Sequence, residues 1–213
     1  MKELVVLLHG LGRTPASMLA FSLAARRRGY RVLNWHYRST RSTIAGHAAA
    51  FAREVLPRLR RAPRVHFVTH SLGGIVVRHL LATPPLPNLG RVVMLAPPNG
   101  GSEVADVLQR SRLVSRCVIP ARELGTRGVP AMLPAVDFPL GVIAGSRSHI
   151  PLFAAWMHHV PNDGVVAVER TKVTGMRDFL VLPRTHTMLP WSADAVEAAF
   201  RFLAEGRFPS APV

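Results

Sequence analysis

The strongest constraint in this chain is a rhythm of short apolar runs separated by amphipathic or irregular stretches. Leu4 to Leu8, Val32 to Trp35, Val65 to Val68, Val92 to Leu95, Leu140 to Ala144 and Phe179 to Leu182 each read as a strand. Runs this short and this apolar fit strands buried on both faces, which predicts a largely parallel sheet of about six strands with helices on both sides, an α/β class. Pro15 to Arg28 reads as a helix stopped by Gly29. Ala48, Phe51, Ala52, Val55, Leu56 and Leu59 form one helical stripe, with Pro57 expected to kink or shorten its last turn. A further helix is predicted from about Gly74 to Ala82, before Pro84-Pro85, and a last one between Ser192 as N-cap and Gly206. Residues 97–138 carry several Gly, Pro and Arg residues and no clean strand, so they read as an irregular, lid-like insert over the sheet edge. One domain over 1–207 with a loose tail from Phe208 is the expected organisation.

Composition narrows the class. Apolar residues make up 48% of the 213 positions and charged ones 18%, which argues for a packed core and against disorder. The Leu4–Leu8 run is too short to cross a bilayer and leads into His9-Gly10 without a cleavage-site pattern, so a soluble, cytoplasmic protein is expected. The single cysteine, Cys117, excludes an internal disulfide and a cysteine-based metal cluster. It is expected to be a buried, inert sulfur. The formal charge is +15, carried by 27 basic residues of which all but two are arginine. These are scattered and do not interleave with aromatics as a base-stacking platform would, so no specific nucleic-acid binding is expected. Peripheral contact with an anionic membrane is compatible with that field. The pattern gives no oligomeric state.

The chemistry concentrates at Thr69-His70-Ser71-Leu72-Gly73-Gly74, between a predicted strand and a predicted helix. A serine at that turn is exposed at the carboxyl edge of the sheet, and the tight turn requires small neighbours. Gly73 meets that demand, whereas Thr69 stands where a glycine is usual and requires extra space. A serine hydroxyl needs a histidine base and an orienting carboxylate, in the chain order serine, acid, histidine. His186, after the last strand, fits the base. His149 lies where the acid is expected, and His158 and His159 precede the best acid. Among Asp137, Asp163, Glu169, Asp178, Asp194, Glu197 and Glu205, Asp163 is the expected acid because Asn162-Asp163-Gly164 is a turn between apolar segments. Asp194 reads as a first-turn charge. Oxyanion donors are expected in the backbone N–H groups of Leu72 and of Leu11, the latter between Gly10 and Gly12. His9 reads as a structural hydrogen-bonding residue.

Taken together, His9-Gly10-Leu11-Gly12, His70-Ser71-Leu72-Gly73-Gly74, Asn162-Asp163-Gly164-Val165-Val166 and His186 resemble the α/β-hydrolase superfamily, and within it small bacterial lipases and esterases. Ala96-Pro97-Pro98-Asn99-Gly100-Gly101-Ser102 is similar to the stretch such proteins carry after the fourth strand. The resemblance implies a serine hydrolase of carboxylic esters, lipase, esterase or thioesterase, with Ser71 as nucleophile, Asp163 as acid and His186 as base. It implies no metal or organic cofactor and a small-molecule or lipid ester as substrate. Two other readings stand beside it, an acyltransferase using the same three residues and a non-catalytic binding protein on the same scaffold. Val118, Ile119, Leu124, Val129, Met132, Leu133, Phe153, Trp156 and Met157 are candidates for an acyl pocket. Trp35, His36 and Tyr37 either line the pocket or pack beneath it. His66 and His70, four apart, lack a third partner for a metal.

Overall fold

The structure, a computed structural model, describes residues 2–82, 86–149, 157 and 160–209, with the side chains of 113–115 left aside. Its strands are β1 Leu4–Leu8, β2 Arg31–Trp35, β3 Val65–His70, β4 Leu89–Leu95, β5 Leu140–Gly145 and β6 Asp178–Leu182. They form one sheet in the order β2-β1-β3-β4-β5-β6, and every neighbouring pair is parallel. The helices are α1 Leu19–Arg27, α2 Ile44–Glu54, α3 Leu56–Leu59, α4 Leu72–Leu81, α5 Glu103–Leu108, α6 Arg112–Cys117, α7 Val129–Met132, α8 Val168–Thr171 and α9 Ala193–Glu205.

The apolar runs are continuous because both faces of the sheet are covered. Leu4, Val6 and Leu8 of β1 join Val65 and Phe67 of β3 in a core beneath α2 and α4. Val5 and Leu7, with Val68, Val93 and Ile143, face the opposite core beneath α1 and α9. Side-chain alternation along each strand thus divides one run between two cores.

Local chemistry explains where elements stop. The stripe from Ala48 to Leu59 is broken between α2 and α3 at Val55, two residues before Pro57, whose ring cannot coexist with an uninterrupted helical carbonyl four residues earlier. Ser192 holds the N-cap position of α9, but its hydroxyl donates to Leu189 O at 2.9 Å and does not cap the helix. Gly206 closes that helix in the left-handed conformation at φ 79°. Phe208, where a loose tail is expected to begin, is instead buried. It packs on Phe202 with ring centroids 5.0 Å apart, and its amide donates to Asp178.

The insert folds into the short helices α5, α6 and α7, and one buried arginine ties it to the sheet. Arg78 of α4 is 3% exposed and donates to Asn99 Oδ1 at 3.0 Å and to the carbonyls of Pro130, Leu133 and Pro134. Burial without a carboxylate partner lowers its pKa to about 10. The helix that follows Ser71 and the insert above it are therefore held as one unit. Cys117, at the end of α6, is exposed, contrary to the buried sulfur expected from sequence. Among the described residues no helix is long and apolar enough to cross a membrane.

Candidate active site

Strand β3 runs through His70, two residues beyond the sequence expectation, so Ser71 directly follows the sheet and heads α4. Its backbone lies at φ 51° and ψ −122°, a conformation costly to a residue with a Cβ and worth about 1–3 kcal/mol of strain. The turn is held by Ser71 N donating to Leu95 O and Gly74 N donating to Ser71 O, both at 2.9 Å. The glycines here are required by space. A Cβ on Gly73 would stand 2.7 Å from Leu8 O and 2.9 Å from His9 O, so only glycine lets α4 rest against the end of β1. A Cβ on Gly74 would stand 3.2 Å from Thr69 Oγ1. Gly74 is therefore what makes room for the threonine at the position where a glycine was expected.

Asp163 and His186 come together from separate loops. Asp163 Oδ2 accepts from His186 Nδ1 at 2.7 Å, and the backbone agrees, with His186 N donating to Asp163 O at 2.9 Å. The other carboxylate oxygen, Oδ1, accepts from Val165 N at 2.9 Å and Val166 N at 2.8 Å, while Gly164 turns at φ 95°. The Asp163 side chain is fully buried. A carboxylate fixed on Nδ1–H leaves the lone pair of the ring on Nε2, the state in which imidazole accepts a proton. Ser71 and His186 line the same cavity of about 210 Å³, together with Leu11 and His70.

His70 and His9 build the frame. His70 Nε2 donates to His186 O at 3.1 Å, and the two rings lie 4.8 Å apart. Burial holds its pKa well below the usual histidine value, and the nearby His186 and Arg13 act in the same direction. His9 Nδ1 donates to Gly10 O at 3.0 Å, the structural placement expected for it. The loop bearing Leu11 is fastened at both ends by the segment after β2. Tyr37 Oη donates to His9 O at 2.7 Å, and Gly12 N donates to Ser39 Oγ at 3.0 Å. Neither the Leu11 nor the Leu72 amide donates a hydrogen bond within the described residues. For Leu72 this is the usual condition of a first helical residue.

The cavity wall is apolar and differs from the expected set. Leu124 lines it, joined by Leu11, Pro98, Val104, Leu108 and Val166. Met132 is 72% exposed, and Met157 packs with Val104 and Ala167 in a small separate cluster. Val129 and Leu133 pack against the core beneath α2 and α4. Phe153, Trp156, His158, His159 and the Pro84-Pro85 helix stop lie outside the described residues. His149 borders a different depression with Arg147 and Arg184. His66 is taken by Glu3 and by the Arg91 amide, and no group of three metal-ligating side chains occurs among the described residues. Ser39 carries no local signature in the sequence, and neither does the role of Ser102, which bridges the insert to the Asp163 loop by donating to Val165 O at 2.7 Å.

Solved structures with the same architecture include the mature form of the Bacillus licheniformis lipase BlEst2, with a TM-score of 0.69 and 17% identity over 96% of this chain and 92% of that one. The phospholipase PlaB of Legionella pneumophila superposes with a TM-score of 0.68 and 19% identity, over 96% of this chain and 58% of PlaB. A Xanthomonas campestris protein described as belonging to the alpha/beta superfamily of hydrolases gives 0.54 and 16%, over 95% and 96% of the two chains. At such identities the likeness establishes the fold, which is the α/β-hydrolase fold of bacterial lipases and esterases. Comparison with curated protein sequences gives no match. By sequence the chain belongs to the family described as domain of unknown function DUF7379, whose model matches residues 2–144.

Proposed function

We propose that the protein is a serine hydrolase of carboxylic esters, with Ser71, His186 and Asp163 as its catalytic residues. The observation that carries this reading is the buried Asp163–His186 hydrogen bond beside a serine held in a strained turn on the same cavity. In the reaction, His186 Nε2 takes the Ser71 proton as Oγ bonds to the acyl carbon. The negative charge that forms on the carbonyl oxygen is met by the amides of Leu11 and Leu72. Collapse breaks the bond to the leaving alcohol, which takes the proton from His186. Water then repeats the sequence on the acyl-serine, gives up a proton to His186, and releases the acid as Ser71 recovers its hydrogen. The apolar wall from Leu108, Leu124 and Val166 suits the acyl chain, and the lipase and phospholipase folds nearby support a lipid or other apolar acyl ester.

The test is hydrolysis of p-nitrophenyl esters of graded chain length by the wild type and by Ser71→Ala, alongside labelling with a fluorophosphonate. Turnover and labelling that disappear together in the variant are expected. Equal turnover in both proteins, or no turnover and no labelling by folded wild type, refutes the assignment.

A further inference from the structure

The cavity beside Ser71 is asymmetric. Much of its lining is apolar, but it also includes Arg13 and Thr187, joined by a hydrogen bond from Arg13 Nη2 to Thr187 Oγ1 at 2.9 Å. Arg13 also belongs to a second, open depression of about 430 Å³ that begins at Gly12 and is lined by His36, Arg38, Ser39, Thr40 and Arg41. Three arginines therefore line one concavity, and Arg13 also lines the cavity that holds Ser71 and His186.

These arginines are set apart by their place, one concavity adjoining the cavity of Ser71 with no carboxylate in its lining. Elsewhere on the surface several arginines do have a carboxylate partner. Arg28 pairs with Glu197, Arg53 with Glu54, Arg64 with Glu3, Arg170 with Glu103, Arg184 with Asp194, and both Arg201 and Arg207 with Glu205. Among the described residues no carboxylate pairs with Arg13, Arg38 or Arg41, and none lines their depression. Glu54 borders the next hollow, which shares Arg38 and Arg41 with this one, and it is held by Arg53 at 3.1 Å. Guanidinium groups match the oxygens of a phosphate in geometry and charge, and clustered unpaired cations focus attraction on an anion.

We propose that this depression is a subsite for a phosphate carried on the leaving alcohol of the ester. The inference rests on the hydrolase reading and deepens it. Substrate would lie with its acyl chain against the insert, its carbonyl at Ser71, and its phosphorylated alcohol leaving past Arg13 towards Arg38 and Arg41. Such a phosphate would come either from a soluble phosphorylated alcohol or from a lysolipid headgroup.

The experiment compares kcat/KM for 1-butyrylglycerol 3-phosphate and 1-butyrylglycerol, two dissolved esters that differ in the phosphate alone. An oleoyl pair supplies the lipid arm, and whichever chain length turns over faster identifies the source. The wild type is expected to prefer the phosphate ester by about tenfold at low salt, and the preference is expected to shrink as salt screens it. The double variant Arg38→Gln, Arg41→Gln is expected to bring the ratio close to one. Arg60→Gln, Arg61→Gln removes the same charge at the end of α3 and is expected to keep the preference. Loss of preference in both double variants, or none in the wild type, overturns the subsite. Calorimetry with glycerol 3-phosphate reads binding without turnover, and Ser71→Ala is expected to bind it like the wild type. If neither ester is hydrolysed, the p-nitrophenyl esters and the fluorophosphonate decide the hydrolase reading by themselves. The subsite is then refuted only if glycerol 3-phosphate binds the wild type no better than the Arg38, Arg41 variant.

Discussion

Tyr37→Phe isolates the fastening of the loop that carries Leu11. Tyr37 is 6% exposed and sandwiched between Trp35, with ring centroids 4.7 Å apart, and His9, at 4.4 Å. Phenylalanine keeps both stacking partners and deletes only the hydroxyl, which donates to His9 O at 2.7 Å. Burial pushes the phenol pKa up, so the donor stays protonated at any working pH. Removing a donor from a buried carbonyl costs about 1–3 kcal/mol, a substantial share of the roughly 5–15 kcal/mol typical of a domain. Urea unfolding should show that loss as a lower midpoint at unchanged slope. On the proposed reaction the second effect is kinetic. Complete loss of an oxyanion donor costs ~10²–10³ in kcat, whereas here one of two anchors goes and the Ser39 anchor on Gly12 remains. We expect kcat on a p-nitrophenyl ester to fall about tenfold with KM nearly unchanged. Adding Ser39→Ala should give a combined effect that departs from the sum, because both anchors act on one short loop. Wild-type kcat in folded Tyr37→Phe, or strict additivity with Ser39→Ala, refutes the idea that these residues position the loop.

Asp163→Asn tests the base. The amide oxygen can still accept from Val165 N and Val166 N, so melting should change little, but an amide NH₂ facing His186 Nδ1 forces the ring proton onto Nε2. A drop in kcat of about 10⁴ is expected, and an active variant would remove Asp163 from the mechanism. Four of the buried histidines set a further expectation, because burial lowers the pKa of His9, His47, His66 and His70 from the ordinary 6.5. As pH falls below about 6.5 the unfolded chain binds these protons first, so stability declines, by up to about 1.4 kcal/mol per pH unit for each histidine, until the lowered folded values are reached. Tm measured by calorimetry should therefore fall steeply from pH 7 to pH 5, and a flat profile over that range would contradict the burial of these rings.

Much of the architecture is legible locally. An apolar run bounded by turn residues has few places to go other than a covered strand, and Leu4–Leu8, Val92–Leu95 and Leu140–Ala144 all lie within strands. Ser71 is visible for the same reason, since a strand-to-helix turn demands small residues at fixed offsets. Turn chemistry and chain order single out Asp163 and His186, and the structure places them in hydrogen-bond contact. Residues whose partners lie far along the chain were not legible. Ser39 meets Gly12 across 27 positions, Ser102 meets Val165 across 63, and Arg78 serves carbonyls of the insert while looking like any other arginine of a basic chain. The exposure of Cys117 and the burial of Phe208 are not legible either, because a single side chain at an insert or terminus carries no periodicity to show which way it faces. The space for Thr69 likewise needed the packing to appear, because Gly74 reads as helix-start glycine until its missing Cβ is set beside the threonine.

The sequence by itself determined the covered parallel sheet and the position of Ser71 at the strand-to-helix turn, because both depend on short-range pattern and backbone sterics. Only the tertiary structure decided which loops fasten the Leu11 segment, what lines the cavity, and which arginines remain without a carboxylate. Those are properties of groups brought within a few ångströms by folding, and hydrogen bonding and charge pairing act over that distance, whatever the separation along the chain.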